Sequence, residues 1–255
     1  MKSTLKNILF RLLAFFPKDM NGRASILMYH SVSMHRDYFF SVSPEEFSAQ
    51  MRFFAEHGYK VIPLSVLIER MKSGVPLNGE IAITFDDGYK DNFKNAYPVL
   101  KQFNFPATIF VTTDLINTTD KRQLAMLSDS ELKEMHESGL IDIEPHTRSH
   151  PKLAKCSTEE ALREVRDSKE ILEKLLNKTC TLFAYPYGNY NEETVSIVHN
   201  LGFTAAVTVE EGTIKSGDDP LRLKRNSIDQ LTTWTQFCGK LSRTIDRYKQ
   251  MKFYK

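Results

Sequence analysis

A single α/β domain, with parallel strands joined by helices and closed or nearly closed into a barrel, is what the sequence predicts, and three observations carry that prediction. Short runs rich in β-branched and apolar residues alternate along the chain with amphipathic stretches that open on helix-capping residues. Polar residues able to do chemistry gather where those runs end, which is where parallel barrels keep their sites. The 255 residues, 41% of them hydrophobic, suffice for one substantial core.

The elements follow in order. Ala24 to His30 is a short apolar run closed by a histidine and reads as a first strand. Ser43-Pro44-Glu45-Glu46 is a capping box with proline at the first helical position, and Phe47, Met51, Phe54 and Ala55 recur on one face until Gly58. Tyr59 to Leu64 is expected as a second strand, with Ser65 capping a helix to about Lys72. Ile81 to Phe85 is a buried strand, followed by a helix from about Asp91 to Phe103. Pro106 precedes the strand Ala107 to Thr113, and Ser128 with Glu131 starts a helix that closes at Gly139. Ile141 to Glu144 is a strand, Ser157 and Glu160 open a longer helix to about Leu176, and Thr181 to Tyr185 is again a strand. Asn191 caps a helix ended by Gly202, and Thr204 to Val209 forms the next strand. No internal repeat or low-complexity linker interrupts the series.

Composition narrows the function. The formal net charge is only +2, from 34 basic and 32 acidic residues spread along the chain, so there is no electrostatic footprint for nucleic acid. Cys156, Cys180 and Cys238 lie far apart without a C-x-x-C pair and read as packing residues, which leaves the compartment open. At the N-terminus Lys2, Lys6 and Arg11 interleave with Leu5, Ile8, Leu9, Phe10, Leu12, Leu13, Phe15 and Phe16 before Pro17. That segment is too short to span a bilayer and lacks a clean cleavage site; it reads as an interfacial helix or one packed on the domain. Three regions are therefore expected: 1–22 as a basic apolar segment, 23–230 as the barrel, and 231–255 as a C-terminal helix and tail. The expected location is cytoplasmic or membrane-associated, with an extracytoplasmic one as the alternative.

Four strand ends carry the chemistry: His30, Asp86-Asp87, His146 to His150, and Tyr185-Pro186-Tyr187-Gly188. Two adjacent aspartates reach one site only where the strand has ended and Gly88 lets the backbone turn. His146 and His150, four apart, would face the same way on one helical turn, with Thr147 and Ser149 as partners between them. With Asp87 they make a two-histidine, one-carboxylate set for a divalent metal with open positions for water and substrate.

Thr84-Phe85-Asp86-Asp87-Gly88, His146-Thr147-Arg148-Ser149-His150-Pro151 and Tyr185-Pro186-Tyr187-Gly188 resemble, in order, three motifs of the polysaccharide deacetylases, carbohydrate esterase family four. The resemblance spans about Ala24 to Ile228. It implies a distorted (β/α) barrel, here of about seven parallel strands, and a divalent metal, usually zinc, serving removal of acetyl groups from N-acetylated sugars. Residue by residue it implies Asp87, His146 and His150 as metal ligands, Asp86 as general base, and the Tyr187 backbone N–H as a donor to the oxyanion. Tyr185, Pro186 and Tyr187 are expected to contact substrate, the two aromatic rings by stacking on sugars. The expected substrate is an N-acetylhexosamine-containing glycan or glycolipid. The alternatives are an O-acetyl polysaccharide esterase and a carbohydrate-binding protein without turnover.

The chain also departs from that family. Phe183-Ala184 stands where many members carry an arginine that orients the base, so another group must hold Asp86. The Asp-Trp motif is missing, and Leu221-Arg222-Leu223-Lys224-Arg225, near the place of the late Leu-x-His motif, has no histidine. Ile26-Leu27-Met28-Tyr29-His30 looks like that late motif moved to the start of the chain, a permuted order similar to that of the poly-N-acetylglucosamine deacetylases. In a closed barrel first and last strands are neighbours, so His30 is expected as the general acid.

Overall fold

The computed structural model describes residues 20–34, 38–244 and 246. The basic apolar segment, up to residue 19, lies outside the described residues, and among those described no helix is long and apolar enough to cross a membrane.

The central wall is built from β1 (Arg23–Tyr29), β4 (Asn78–Phe85), β5 (Ala107–Val111), β6 (Ile141–Pro145) and β10 (Asn226–Ser227), all parallel, in the order β10-β1-β4-β5-β6. Their residues are buried on both faces, the pattern that parallel strands covered by helices must show. A second arc pairs β7 (Leu182–Ala184) with β8 (Ala205–Val207), also in parallel. The two arcs meet through Leu223, whose N–H donates to the Ala206 carbonyl (2.9 Å) and whose own carbonyl accepts from the Thr208 N–H (2.8 Å). A distorted barrel of parallel strands results, as expected from the alternation. Two short strands, β2 (Ser31–Val32) and β3 (Ser41–Val42), pair beside its mouth, and β9 (Ile214–Lys215) runs antiparallel on β1.

Helices wrap the wall: α1 (Pro44–Glu56), α2 (Leu64–Lys72), α3 (Tyr97–Phe103), α4 (Asp129–Glu137), α5 (Thr158–Leu176), α6 (Glu192–Asn200) and α7 (Trp234–Lys240). Capping boxes at Ser43, Ser128 and Asn191 start α1, α4 and α6, and the Ser157 side chain accepts from the Glu160 N–H at the start of α5. α7 belongs to the core: Phe237 is buried against Phe53 and Phe54 of α1, and the Lys240 carbonyl accepts from Ser25 Oγ.

Two expectations need correction. Residues 59–64 form no strand; Val61 makes one bridge to Ile81, after which Pro63, lacking an N–H, occupies the N-cap position of α2 in place of the expected Ser65. The helix after β4 is also interrupted, because Asn92–Ala96 is a π-helical turn that runs into α3.

Candidate metal centre and active site

The strand tips bring the expected residues together at one mouth of the barrel. At the end of β4 the chain turns through Asp87 (φ 71°) and Gly88 (φ 86°), so that neighbouring carboxylates point at different partners around one point. Among the described residues eight non-glycine residues have positive φ, and four of them are Asp87, Thr147, His150 and Tyr187. Left-handed backbone in non-glycine residues is costly, and its concentration here marks the place where the fold holds the chain against local preference.

His146 and His150 meet, but not on a helical turn. Residues 146–150 form a loop in which Thr147 (φ 64°) and His150 (φ 62°) are both left-handed. Glu164 of α5 takes the backbone donors that a helix would use: its carboxylate accepts from the N–H groups of Arg148 (3.0 Å) and Ser149 (2.8 Å) and from Ser149 Oγ (2.7 Å). Thr147 Oγ1 accepts from the His150 N–H, closing the loop.

The donor atoms form a small triangle. His150 Nε2 lies 3.1 Å from His146 Nε2 and 3.2 Å from Asp87 Oδ1, and His146 Nε2 lies 3.7 Å from the same oxygen. A tetrahedral ion with bonds of about 2.0–2.2 Å requires donors roughly 3.4 Å apart, so the triangle has the size of one face of such a polyhedron. The ring tautomer of His146 fits as well. Its Nδ1 is 2.7 Å from the Ala184 carbonyl, which only accepts, so Nδ1 carries the proton and Nε2 presents a lone pair to the centre. Two imidazole nitrogens and a carboxylate oxygen converging in this way fit a divalent cation. Burial pushes the His146 imidazole down to about 4, which favours the neutral ligand form. Burial would raise the Asp87 carboxyl, but a hydrogen bond from His150 and the neighbouring His30, His150 and His146 rings hold it well below the usual carboxylate range.

The second aspartate is held elsewhere. Arg225, wholly buried, grips Asp86 with two parallel bonds, Nη1 to Oδ1 at 2.6 Å and Nη2 to Oδ2 at 2.7 Å. The guanidinium is fixed in turn by the Thr208 carbonyl (2.9 Å) and Thr84 Oγ1 (3.1 Å). Burial pushes the Asp86 carboxyl up, but the charge of Arg225, joined by His146, Arg225's hydrogen bonds and His30, leaves it below its ordinary value. Arg225 is the missing orienting group, and sequence reasoning passed over it. The one signal was its place at the end of Leu221-Arg222-Leu223-Lys224-Arg225, the stretch near the late motif.

His30 follows β1, and its carbonyl accepts from Asn92 Nδ2 at 2.7 Å. Its ring packs 5.8 Å from Phe40, and its proximity helps to lower both aspartates. β1 lies directly beside β10, the strand of the late motif, so the permuted neighbourhood is present. Tyr187 sits in the turn Pro186–Gly188, 58% exposed, with its ring 4.5 Å from that of His150. Tyr185 and Pro186 do not offer side chains to a substrate. Both are buried, Tyr185 between Phe183 and Tyr190, whereas the left-handed backbone of Tyr187 (φ 57°) in the Pro186–Gly188 turn carries its ring outward.

Comparisons with known proteins give the chain its family. Residues 74–206 match the family model described as polysaccharide deacetylase. The chain belongs to the polysaccharide deacetylase family. This deacetylase-family chain is 34% identical over 200 residues to the Bacillus subtilis protein YxkH, covering 78% of this chain and 69% of that one. It is 29% identical to the poly-beta-1,6-N-acetyl-D-glucosamine N-deacetylase of Staphylococcus aureus, covering 73% of this chain and 67% of that one. Among solved structures, the Streptococcus pyogenes deacetylase PplD in complex with acetate superposes with a TM-score of 0.78 at 29% identity, covering 86% of this chain and 98% of that one. A Bacillus cereus polysaccharide deacetylase superposes with a TM-score of 0.75 at 30% identity, covering 87% and 70%.

Proposed function

We propose that this polysaccharide deacetylase is a metal-dependent N-deacetylase that releases acetate from N-acetylhexosamine units of a glycan or glycolipid. The observation that carries the reading is the Asp87, His146 and His150 triangle with a second, separately clamped carboxylate, Asp86, beside it. The activity printed for the Staphylococcus aureus relative supports the choice of substrate class.

A divalent ion held by Asp87, His146 and His150, zinc being the choice that suits two imidazoles and one carboxylate, supplies Lewis-acid polarisation of the acetyl carbonyl and water of lowered pKa. Asp86, kept ionised and aligned by Arg225, takes the proton of the attacking water as its oxygen bonds to the carbonyl carbon. The Tyr187 backbone N–H donates to the developing oxyanion, and the exposed Tyr187 ring offers a face to a sugar. His30 gives a proton to the departing amine as the carbon–nitrogen bond breaks, leaving acetate and a free amino sugar. The deacetylase thus has a base and an acid on different strand tips.

Acetate release from β-1,6-linked N-acetylglucosamine oligomers, in the presence of zinc, is the direct test, with acetylated xylan as the comparison. Release from the amino sugar is expected; release from xylan alone would make the protein an O-acetyl esterase. The acid is tested separately. His30→Gln is expected to lower kcat on the amide by roughly 10²–10⁴ with metal content intact, while an activated acetyl ester, whose leaving group needs little protonation, falls far less. Equal losses on both substrates, or no loss on either, would assign the proton donor to another residue.

A further inference from the structure

The barrel has a seam behind the metal centre. Among the described residues no backbone ladder joins β6 to β7; β6 is the last strand of its sheet, and β7 pairs with β8. Side chains from alternate positions at the end of β6 take over the bonds that a ladder would have made. Glu144 Oε2 accepts from the Leu182 N–H at 3.0 Å, and His146 Nδ1 donates to the Ala184 carbonyl at 2.7 Å. The spacing is two residues on both strands, so one register governs both bonds. Lys178 locks the first of them: its ammonium donates to Glu144 Oε1 at 2.8 Å and to the Ile143 carbonyl at 2.9 Å, and it also pairs with Asp142. Glu144 is 1% exposed, so its two oxygens rely on Lys178 and the Leu182 N–H for hydrogen bonds.

We propose that the Lys178–Glu144 pair is a positioning device for His146, setting the separation and register of β6 and β7 and thereby where His146 Nε2 points. The inference rests on the reading of His146 as a metal ligand. Neither Lys178 nor Glu144 touches the donor triangle; both act through the strand end that carries His146. A partner outside the ligand set that orients a metal-binding imidazole typically changes metal affinity by about 10- to 100-fold when removed.

The test is zinc affinity of the full chain, measured by competition with a chromophoric chelator, with the visible spectrum of the cobalt-loaded protein as a report on geometry. Lys178→Met is expected to weaken zinc binding by about 10- to 100-fold and to alter the cobalt bands. Glu144→Gln, which keeps an acceptor for the Leu182 N–H and is the gentler change should Lys178→Met fold poorly, is expected to act in the same direction. The control is Arg70→Met, which breaks a comparable pair (Arg70 Nη1 to buried Glu80, 2.8 Å) near the other end of β4 and should leave zinc affinity unchanged. The double variant Glu144→Gln/Lys178→Met, with no buried charge left unpaired, should regain part of the affinity. Unchanged zinc affinity in folded Lys178→Met and Glu144→Gln, or an equal loss in Arg70→Met, overturns the positioning role. Failure of the underlying metal reading looks different: the unmodified protein would bind zinc no better than His146→Ala.

Discussion

An Asp86→Asn protein is expected to bind its metal as the unmodified protein does and to lose turnover by roughly 10²–10⁴, the range for a lost general base. The adjacent carboxylate should behave in the opposite way. Asp87→Ala removes one corner of the donor triangle, and His146→Ala and His150→Ala remove the others, so these three should lose bound metal first and activity as a consequence. The argument is geometric: the Asp86 oxygens are both engaged by Arg225, at 2.6 and 2.7 Å, and are aligned by that grip, whereas Asp87 Oδ1 faces both imidazoles. Metal content by elemental analysis, read beside acetate release, separates the two classes. Chelation should abolish activity and zinc should restore it in the unmodified protein; activity that persists in a metal-free sample would sink the mechanism. Metal loss in Asp86→Asn equal to that in Asp87→Ala would mean that the roles of the pair are reversed.

What could be read from the sequence divides along the range of the interactions involved. The strand Ile81 to Phe85, the capping boxes at Ser43 and Ser128 and the cap at Asn191 were legible because their determinants lie within a few residues: β-branched side chains in one case, local side-chain and backbone bonds in the other. The pairing of His146 with His150 was legible as a spacing but not as a geometry. Four residues apart suggests a helical turn, yet Glu164, on a later helix, captures the N–H groups of Arg148 and Ser149 and leaves a loop with two left-handed residues. The strand expected at 59–64 failed for a local reason, Pro63, that composition alone did not weigh heavily enough. Tyr185 and Tyr187 look alike in sequence because both are aromatic and two apart, whereas the left-handed turn at Tyr187 (φ 57°) exposes it and leaves Tyr185 buried. Arg225 was out of reach because it stands 139 residues from Asp86 in sequence, and only the pairing of β1 with both β4 and β10 brings the two strands close.

Replacing Arg225 by Met should therefore damage both stability and chemistry. Breaking a buried, bidentate ion pair leaves the Asp86 carboxylate without its guanidinium at a buried position, and removing one partner of such a pair typically costs about 3–5 kcal/mol. Urea unfolding at neutral pH reads this loss. The pH dependence has a definite sign. In the folded protein Asp86 titrates below its ordinary value of 3.8, so its pairing contributes stability that is fully present above that value and is lost as the pH falls through the folded pKa. Without Arg225 the largest influence that remains is burial, which raises the pKa, and the group then resists ionisation at a pH where the base must be charged. The acid limb of the kcat/KM profile should consequently move to higher pH, by roughly one to three units for loss of an adjacent guanidinium. Arg225→Lys, which keeps a charge but lacks the planar fork for two parallel bonds, should shift it less. The double variant Asp86→Asn/Arg225→Met should recover much of the stability and none of the activity, because it removes both charges and the base with them. A folded Arg225→Met protein whose acid limb stays where it was would show that Asp86 is not the group whose ionisation limits the rate.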